Sequence, residues 1–375
     1  MTNGQPPRLP FRHILAIVIA LIVYGSLYPW QFQMRHLYAS PPWILLHSWP
    51  SILNRFVAWD FAVNMVLYMP LGIFAVLAIR ETAPRVVRIL IPLALAFGLS
   101  ASIEMLQLFD DSRSCSLADL ASNVAGAAVG IAAGEIYRAR WQRIAPRLRP
   151  SGALLLLSCW LGYQIFPIFP SWGRTRLFAK IAAMHTLPAG WPAAAFVVFA
   201  EWLAVACLVE GILGAKATRA FALLLLVLPA RLFIAGRTVA WPEVAGAAGA
   251  CAVWMLLPRR RVRRAVPFVM AAALVVSELA PFHFGAAQAF NWVPFRGFFQ
   301  SRWQDGFVIL FRKSFDYGAV LWLWRYRLAR TTAAVAVGLF VLERVQIYLP
   351  PRTPEITDAV LAILMGVLLW LLRDA

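Results

Sequence analysis

Apolar runs of roughly 18–22 residues recur along the whole of this chain, and each is long enough to cross a hydrocarbon layer as a helix. A helix is also what such a layer demands, because it pairs every backbone N–H and C=O within its own segment. Composition agrees. Hydrophobic residues make up 61% of the chain and charged residues 14%, against about 45–50% and about 25% in soluble domains. A net charge of +18 would suit a nucleic-acid ligand, but the arginines fall between the apolar runs as loop markers, which removes nucleic acid as a partner. The first run, His13 to Trp30, lacks a small-residue cleavage site and reads as a span, not a removable signal.

The spacing of the runs predicts an all-α, polytopic membrane bundle of about twelve transmembrane helices. They are expected near residues 12–32, 60–80, 88–109, 115–137, 152–170, 189–212, 217–236, 240–257, 265–284, 305–325, 330–349 and 354–372. Alternate connections sort by charge, one side carrying about twice the Lys and Arg of the other, so both termini are expected in the cytoplasm. The basic clusters Arg138 to Arg149 and Arg259 to Arg264 fall on that side. Three long outer connections, Trp43 to Val57, Arg176 to Leu187 and Asn291 to Trp303, have the character of segments lying flat at the headgroup boundary.

A quartet of polar residues is repeated with identical gaps. Glu104, Gln107, Arg113 and Asp119 follow E-x2-Q-x5-R-x5-D, and Glu343, Gln346, Arg352 and Asp358 repeat it 239 residues later. The resemblance extends to the first helix of each segment, which ends Tyr28-Pro29-Trp30 in one case and Ala280-Pro281-Phe282 in the other. A worn third copy lies between, with Phe166-Pro167-Ile168 at the helix end, Arg237 in the arginine position and Glu243 in the aspartate position. Leu228 and Arg231 stand there where Glu and Gln are expected. The chain therefore divides into three parallel four-helix repeats, 1–150, 151–262 and 263–375, all of one orientation because four spans is an even number.

Glu104 and Gln107 share a helix face, as do Glu343 and Gln346, about a turn from the outer helix end. Ser114 and Thr353 are placed to cap the helices that follow. One reading is structural: each arginine clamps the Glu and Asp of adjacent helices in a buried ion-pair hairpin. The other is a polar pocket open to the outer leaflet. There Arg113 and Arg352 bind an anion and one of Glu104, Asp119, Glu343 and Asp358 works as acid or base. Gln107, Gln346, Asp60, Asn64, Asn123, Lys313 and Arg231 complete the candidate substrate-binding set. Lys313, deep in its span, needs a partner, for which Glu343 is the nominee, and Arg231 is expected to meet a carboxylate. Gly126, Gly130 and Gly134 line one helix face and suggest close packing. The cysteines and histidines have no metal-ligand spacing. No nucleotide loop or nucleophile elbow is present, so no cofactor and no metal are expected.

Residues 60–134 resemble the VanZ-like family of bacterial membrane proteins. The pattern reads Asp60-x3-Asn64-x5-Pro70-Leu71-Gly72, then Glu104, Gln107, Arg113, Asp119, Asn123, Gly126 and Gly130. Residues 278–366 resemble a divergent second copy that keeps Glu343, Gln346, Arg352, Asp358 and Gly366 and replaces Asn123 by Ala362. The family is named for a protein associated with low-level teicoplanin resistance, so the resemblance implies the bacterial envelope and its inner membrane. Membrane lipids or a lipid-linked envelope precursor are the partners this suggests. Three functions compete: an enzyme or modulator acting on an anionic lipid-linked headgroup, a non-catalytic scaffold, and a transporter. The placing of charge near one face argues against the last, since alternating access needs a site at the midplane.

Overall fold

The computed structural model describes residues 11–34, 36–50, 55–110, 113–141, 151–171, 173–184, 187, 190–350 and 352–372. They fall into two compact units, one within Met1–Arg149 and one within Pro150–Arg373. Arg143, Arg147, Arg149, Asp111, Ser112, His185 and Pro351 lie outside the described residues. Among the described residues the chain is helical, and its only extended pairings are isolated bridges.

The first unit comprises α1 (Phe11–Leu27), α2 (Pro41–Leu46), α3 (Arg55–Ala78), α4 (Arg85–Gln107) and α5 (Leu117–Ile136), which runs into a π turn over Tyr137–Trp141. Its closest packing is α3 against α5. A Cβ on Gly126 would lie 2.2 Å from the Met65 carbonyl oxygen, and one on Gly130 would lie 2.1 Å from that of Met69. The two backbones thus touch where the sequence puts its glycine stripe, the usual way for helices to approach in lipid. Charged groups tie the opposite end. Arg88 forks onto both oxygens of Glu135 at 3.0 Å, and Arg138 donates to the Val76 and Ile79 carbonyls that end α3.

The second unit comprises α6 (Gly152–Ile165), α7 (Arg174–Ala183), α8 (Trp191–Leu213), α9 (Ala217–Leu224), α10 (Val227–Arg231), α11 (Trp241–Leu256), α12 (Arg259–Leu279), α13 (Arg296–Gln300), α14 (Trp303–Leu323), α15 (Leu328–Gln346) and α16 (Thr357–Leu371). Every residue from Glu201 to Val209 is buried, so α8 is the axial helix, packed on α6, α11 and α12. Trp160, Trp202, Trp254, Phe221, Phe315 and Tyr317 form the aromatic centre. The segments 151–262 and 263–375 share this core, with α14 packed against α6 as well as α12 and α16.

Four helices are long and apolar enough to cross a membrane: Asp60–Ala78, Arg85–Gln107, Leu117–Ala139 and Trp191–Leu213. The helices Phe11–Leu27, Gly152–Ile165 and Thr357–Leu371 are apolar but shorter. Helix occurs at each of the twelve expected positions, with corrections that proline explains. The expected spans 12–32, 152–170 and 265–284 stop early, at Leu27, Ile165 and Leu279, because the residue preceding a proline is driven out of the helical region. The expected span 217–236 is broken between Leu224 and Val227. Pro229 lacks an amide and crowds the carbonyl of Leu225, four residues back.

Candidate functional site

Three corners of the chain are built alike. Each proline-terminated helix turns through a left-handed residue, Trp30, Ile168 or Phe282, at φ 65°, 63° and 62°. A bulky side chain is costly in that conformation, by about 1–2 kcal/mol, and each corner carries the same set of bonds around it. The amide four residues past the proline (Gln33, Ser171, Gly285) donates to Phe109, Phe233 and Tyr348 O at 2.7, 2.7 and 2.8 Å. The arginine four residues after that acceptor points its Nε back at the carbonyl preceding the proline. Arg113 reaches Tyr28 O at 2.9 Å, Arg237 reaches Phe166 O at 2.7 Å and Arg352 reaches Ala280 O at 3.0 Å. Helix-end carbonyls have no partner of their own, and a guanidinium supplies one.

The expected pairs Glu104–Arg113 and Glu343–Arg352 therefore do not form among the described residues. The arginines serve the carbonyl end of the first helix, and the glutamates serve the amide end of the fourth. Glu104 accepts from Ser116 N and Glu343 from Glu355 N, both at 2.8 Å. The capping expectation shifts accordingly. Ser116, not Ser114, is the N-cap of α5, accepting from Asp119 N at 3.3 Å. Thr353 caps nothing, because α16 starts at Thr357, whose hydroxyl accepts from Phe295 N. In the worn corner the glutamate is lost to Leu228, and Glu243 replaces it. One of its oxygens accepts from Ala240 N at 2.8 Å and the other from Arg231 at 2.5 Å. Aspartate is one methylene too short to reach its own N-cap amide and a second partner, which accounts for Glu at this position alone. Arg231 also donates to Gln164 Oε1 at 3.1 Å, so its carboxylate lies within its own segment.

In the first unit the remaining candidates are held by local partners. Asp119 lies beside Asp60 and Asn64, Gln107 donates to Ser26 O at 2.8 Å, and Asn123 donates to Ser100 Oγ at 3.0 Å. A cavity of about 460 Å³ in that unit is lined by Arg12, Arg80, Pro92 and aliphatic side chains and holds none of them.

The second unit gathers its candidates. Lys313 Nζ donates to both oxygens of Asp358, at 2.6 and 2.7 Å. Asp358, at the start of α16, is thus its partner in place of Glu343. Glu278, Glu343 and Asp358 are all buried, with carboxylate oxygens within 4.8 Å of one another. Tyr317 donates to Glu278 Oε1 at 3.2 Å, and Gln346 to Glu278 Oε2 at 2.9 Å. Three carboxylates are the donor type a hard cation prefers, but the ammonium of Lys313 already stands as counter-charge on Asp358. A cavity of about 320 Å³ opens beside this cluster. Lys313, Arg312, Asp316, Glu278, Glu343 and Arg352 line it together with Phe298, Ile309, Leu310 and Leu361. Sequence reading passed over Glu278 and Glu201 as site residues. The available signal was a charge inside an apolar run, as Glu201 is in the middle of α8, whereas Glu278 is the penultimate residue of α12.

Residues 11–138, the helices α1 to α5, match the family model described as VanZ/LLP1. The N-terminal unit of this chain is VanZ-like, and the apolar helices make the chain a membrane protein. No curated protein matches the chain. No solved structure matches it either.

Proposed function

We propose that this chain is a VanZ-like integral protein of the bacterial inner membrane, with twelve helical spans and cytoplasmic termini. The VanZ-like arrangement is used three times, and the second unit binds the charged headgroup of a membrane amphiphile. The triple arrangement is supported by the three corners that share a left-handed residue, a backbone bridge and an arginine-to-carbonyl bond. Binding rests on one observation, the 320 Å³ cavity lined by charged and apolar side chains together. That lining matches a phosphate-bearing headgroup joined to acyl or isoprenoid chains.

Arg312 is the anion-binding group in this reading. Arg113 and Arg352 have their Nε committed to backbone carbonyls, so the anion-binding role passes from them to a guanidinium whose side chain is 39% exposed. A scaffold role is favoured for the first unit, where the quartet caps and fastens helix ends. Transport gains some support from Asp316, which lies about 20 Å along α14 from Trp303. A role in the response to glycopeptides follows from the family resemblance alone.

Native mass spectrometry of protein purified from bacterial membranes tests the reading. Retained phospholipid or lipid-linked precursor is expected on the wild type, and the folded fraction of Arg312→Gln is expected to lose most of it. Equal lipid retention by both proteins would remove the pocket from the account.

A further inference from the structure

The pocket of the second unit holds more carboxylate than an anion site needs. Glu278, Asp316, Glu343 and Glu355 line it against Arg312, Lys313 and Arg352. Two of those three cations are already engaged, Lys313 by Asp358 and Arg352 by Ala280 and Ser277 carbonyls. Arg312 is the third, held over the Tyr163 ring at 5.7 Å and within ion-pair distance of Glu201 and Asp316.

Around Arg312 the hydrogen bonding is incomplete. Its Nε lies 3.4 Å from Glu201 and 3.6 Å from Asp316, and it closes a hydrogen bond with neither. Asp316 Oδ1 and Glu201 Oε1 are buried without a hydrogen-bond partner, on side chains only 6% and 1% exposed. A buried acceptor left unmet keeps its desolvation cost uncompensated, the more so when charged. These acceptors call for a donor-bearing ligand group, and Asp316, unlike Glu201, lies on the pocket wall. Arg312 also lines the pocket, and the guanidinium edge away from Nε is open to a phosphate.

We propose that this pocket recognises a zwitterionic, primary-amine phospholipid headgroup, with its phosphate on Arg312 and its ammonium on Asp316. Two methylenes join phosphate oxygen and nitrogen in such a headgroup, which suits a guanidinium and a carboxylate on successive turns of one helix. An ammonium brings three donors to the unmet acceptors, whereas a trimethylammonium brings none and a glycerol headgroup brings no charge. The apolar wall of Phe298, Ile309, Leu310 and Leu361 takes the start of an acyl chain, so the source is a lipid and not a soluble phosphoester. The proposal rests on the headgroup reading above and narrows it to one class.

The test uses full-length protein in nanodiscs of matched acyl composition, with native mass spectrometry reading exchange of phosphatidylethanolamine, phosphatidylglycerol and phosphatidylcholine. About tenfold preference for phosphatidylethanolamine over both others is expected, a difference of 1.4 kcal/mol. Asp316→Asn is expected to erase the preference, and Arg312→Gln to weaken all phospholipids. Glycerophosphoethanolamine at equal concentration is expected not to compete, and its competing equally would overturn the lipid as the source. Equal binding of phosphatidylcholine, or preference for phosphatidylglycerol, would overturn amine recognition while leaving the headgroup pocket standing. No exchange of any phospholipid would remove both. The wild-type comparison decides between these outcomes even if a variant fails to fold.

Discussion

A guanidinium at the end of a membrane helix can be satisfied by a carboxylate or by carbonyls the helix leaves open. Arg113, Arg237 and Arg352 all take the carbonyls. Arg352→Ala removes charge-assisted bonds worth about 1.5–3 kcal/mol each from a corner that also holds Phe282 left-handed. It is expected to lower the thermal midpoint of detergent-purified protein well below that of the exposed control Arg330→Ala. Equal midpoints would make the corner bonds dispensable. Lys313 tests the buried cluster in the same assay. Lys313→Met leaves Asp358 among Glu278 and Glu343 without its counter-charge, at a cost of about 3–5 kcal/mol. Adding Asp358→Asn should recover part of that loss, whereas additive losses would show that the two side chains do not interact. Glu243→Asp should cost about 1 kcal/mol, the worth of a helix cap, and the same change at the exposed Glu81 supplies the contrast. At this scale the sequence found a carboxylate for Arg231 and misassigned the partners of Arg113, Arg352 and Lys313. Spacing along one helix fixes which side chains share a face. It does not say whether a long side chain reaches forward to an amide, back to a carbonyl or across to a charge.

Helices were the most legible level, because periodicity and apolar length are local properties of the chain. Their ends were missed where a proline was not given its full weight, as at Tyr28-Pro29 and Pro229. The glycine stripe of α5 was read correctly as packing, and the structure supplies the reason in contacts too short for any Cβ. Gly130→Ala would set a methyl 2.1 Å from the Met69 carbonyl oxygen, forcing α3 and α5 apart. A loss of about 1–3 kcal/mol or more is expected, seen as reduced folded yield and a lower melting point. Gly98→Ala on α4 meets nothing within 4 Å and should leave both unchanged or slightly improved, since alanine favours a helix. Matching losses at the two positions would mean that α3 and α5 are not in backbone contact.

The whole molecule depends on a topology that charge asymmetry alone argues for, and Cys115 can decide it. This residue sits between α4 and α5, on the side assigned to the exterior, and its thiol is partly buried. Burial first, and the Glu104 carboxylate next, push that thiol up to about 11, with a Ser48 hydrogen bond opposing them. Only the thiolate attacks a maleimide, so at pH 7 labelling should be slow from either side. In a variant whose other three cysteines are replaced by alanine, an impermeant maleimide added to intact cells is expected to label Cys115. The rate should climb about tenfold per pH unit between pH 7 and 10, where an exposed thiol of pKa about 8.5 would level off near pH 9. The two readouts separate two claims. An early plateau would mean that the loop between α4 and α5 opens to water, leaving the topology intact. Labelling only after the cytoplasmic face is exposed would invert the proposed topology, and the quartets would then be expected at the inner leaflet.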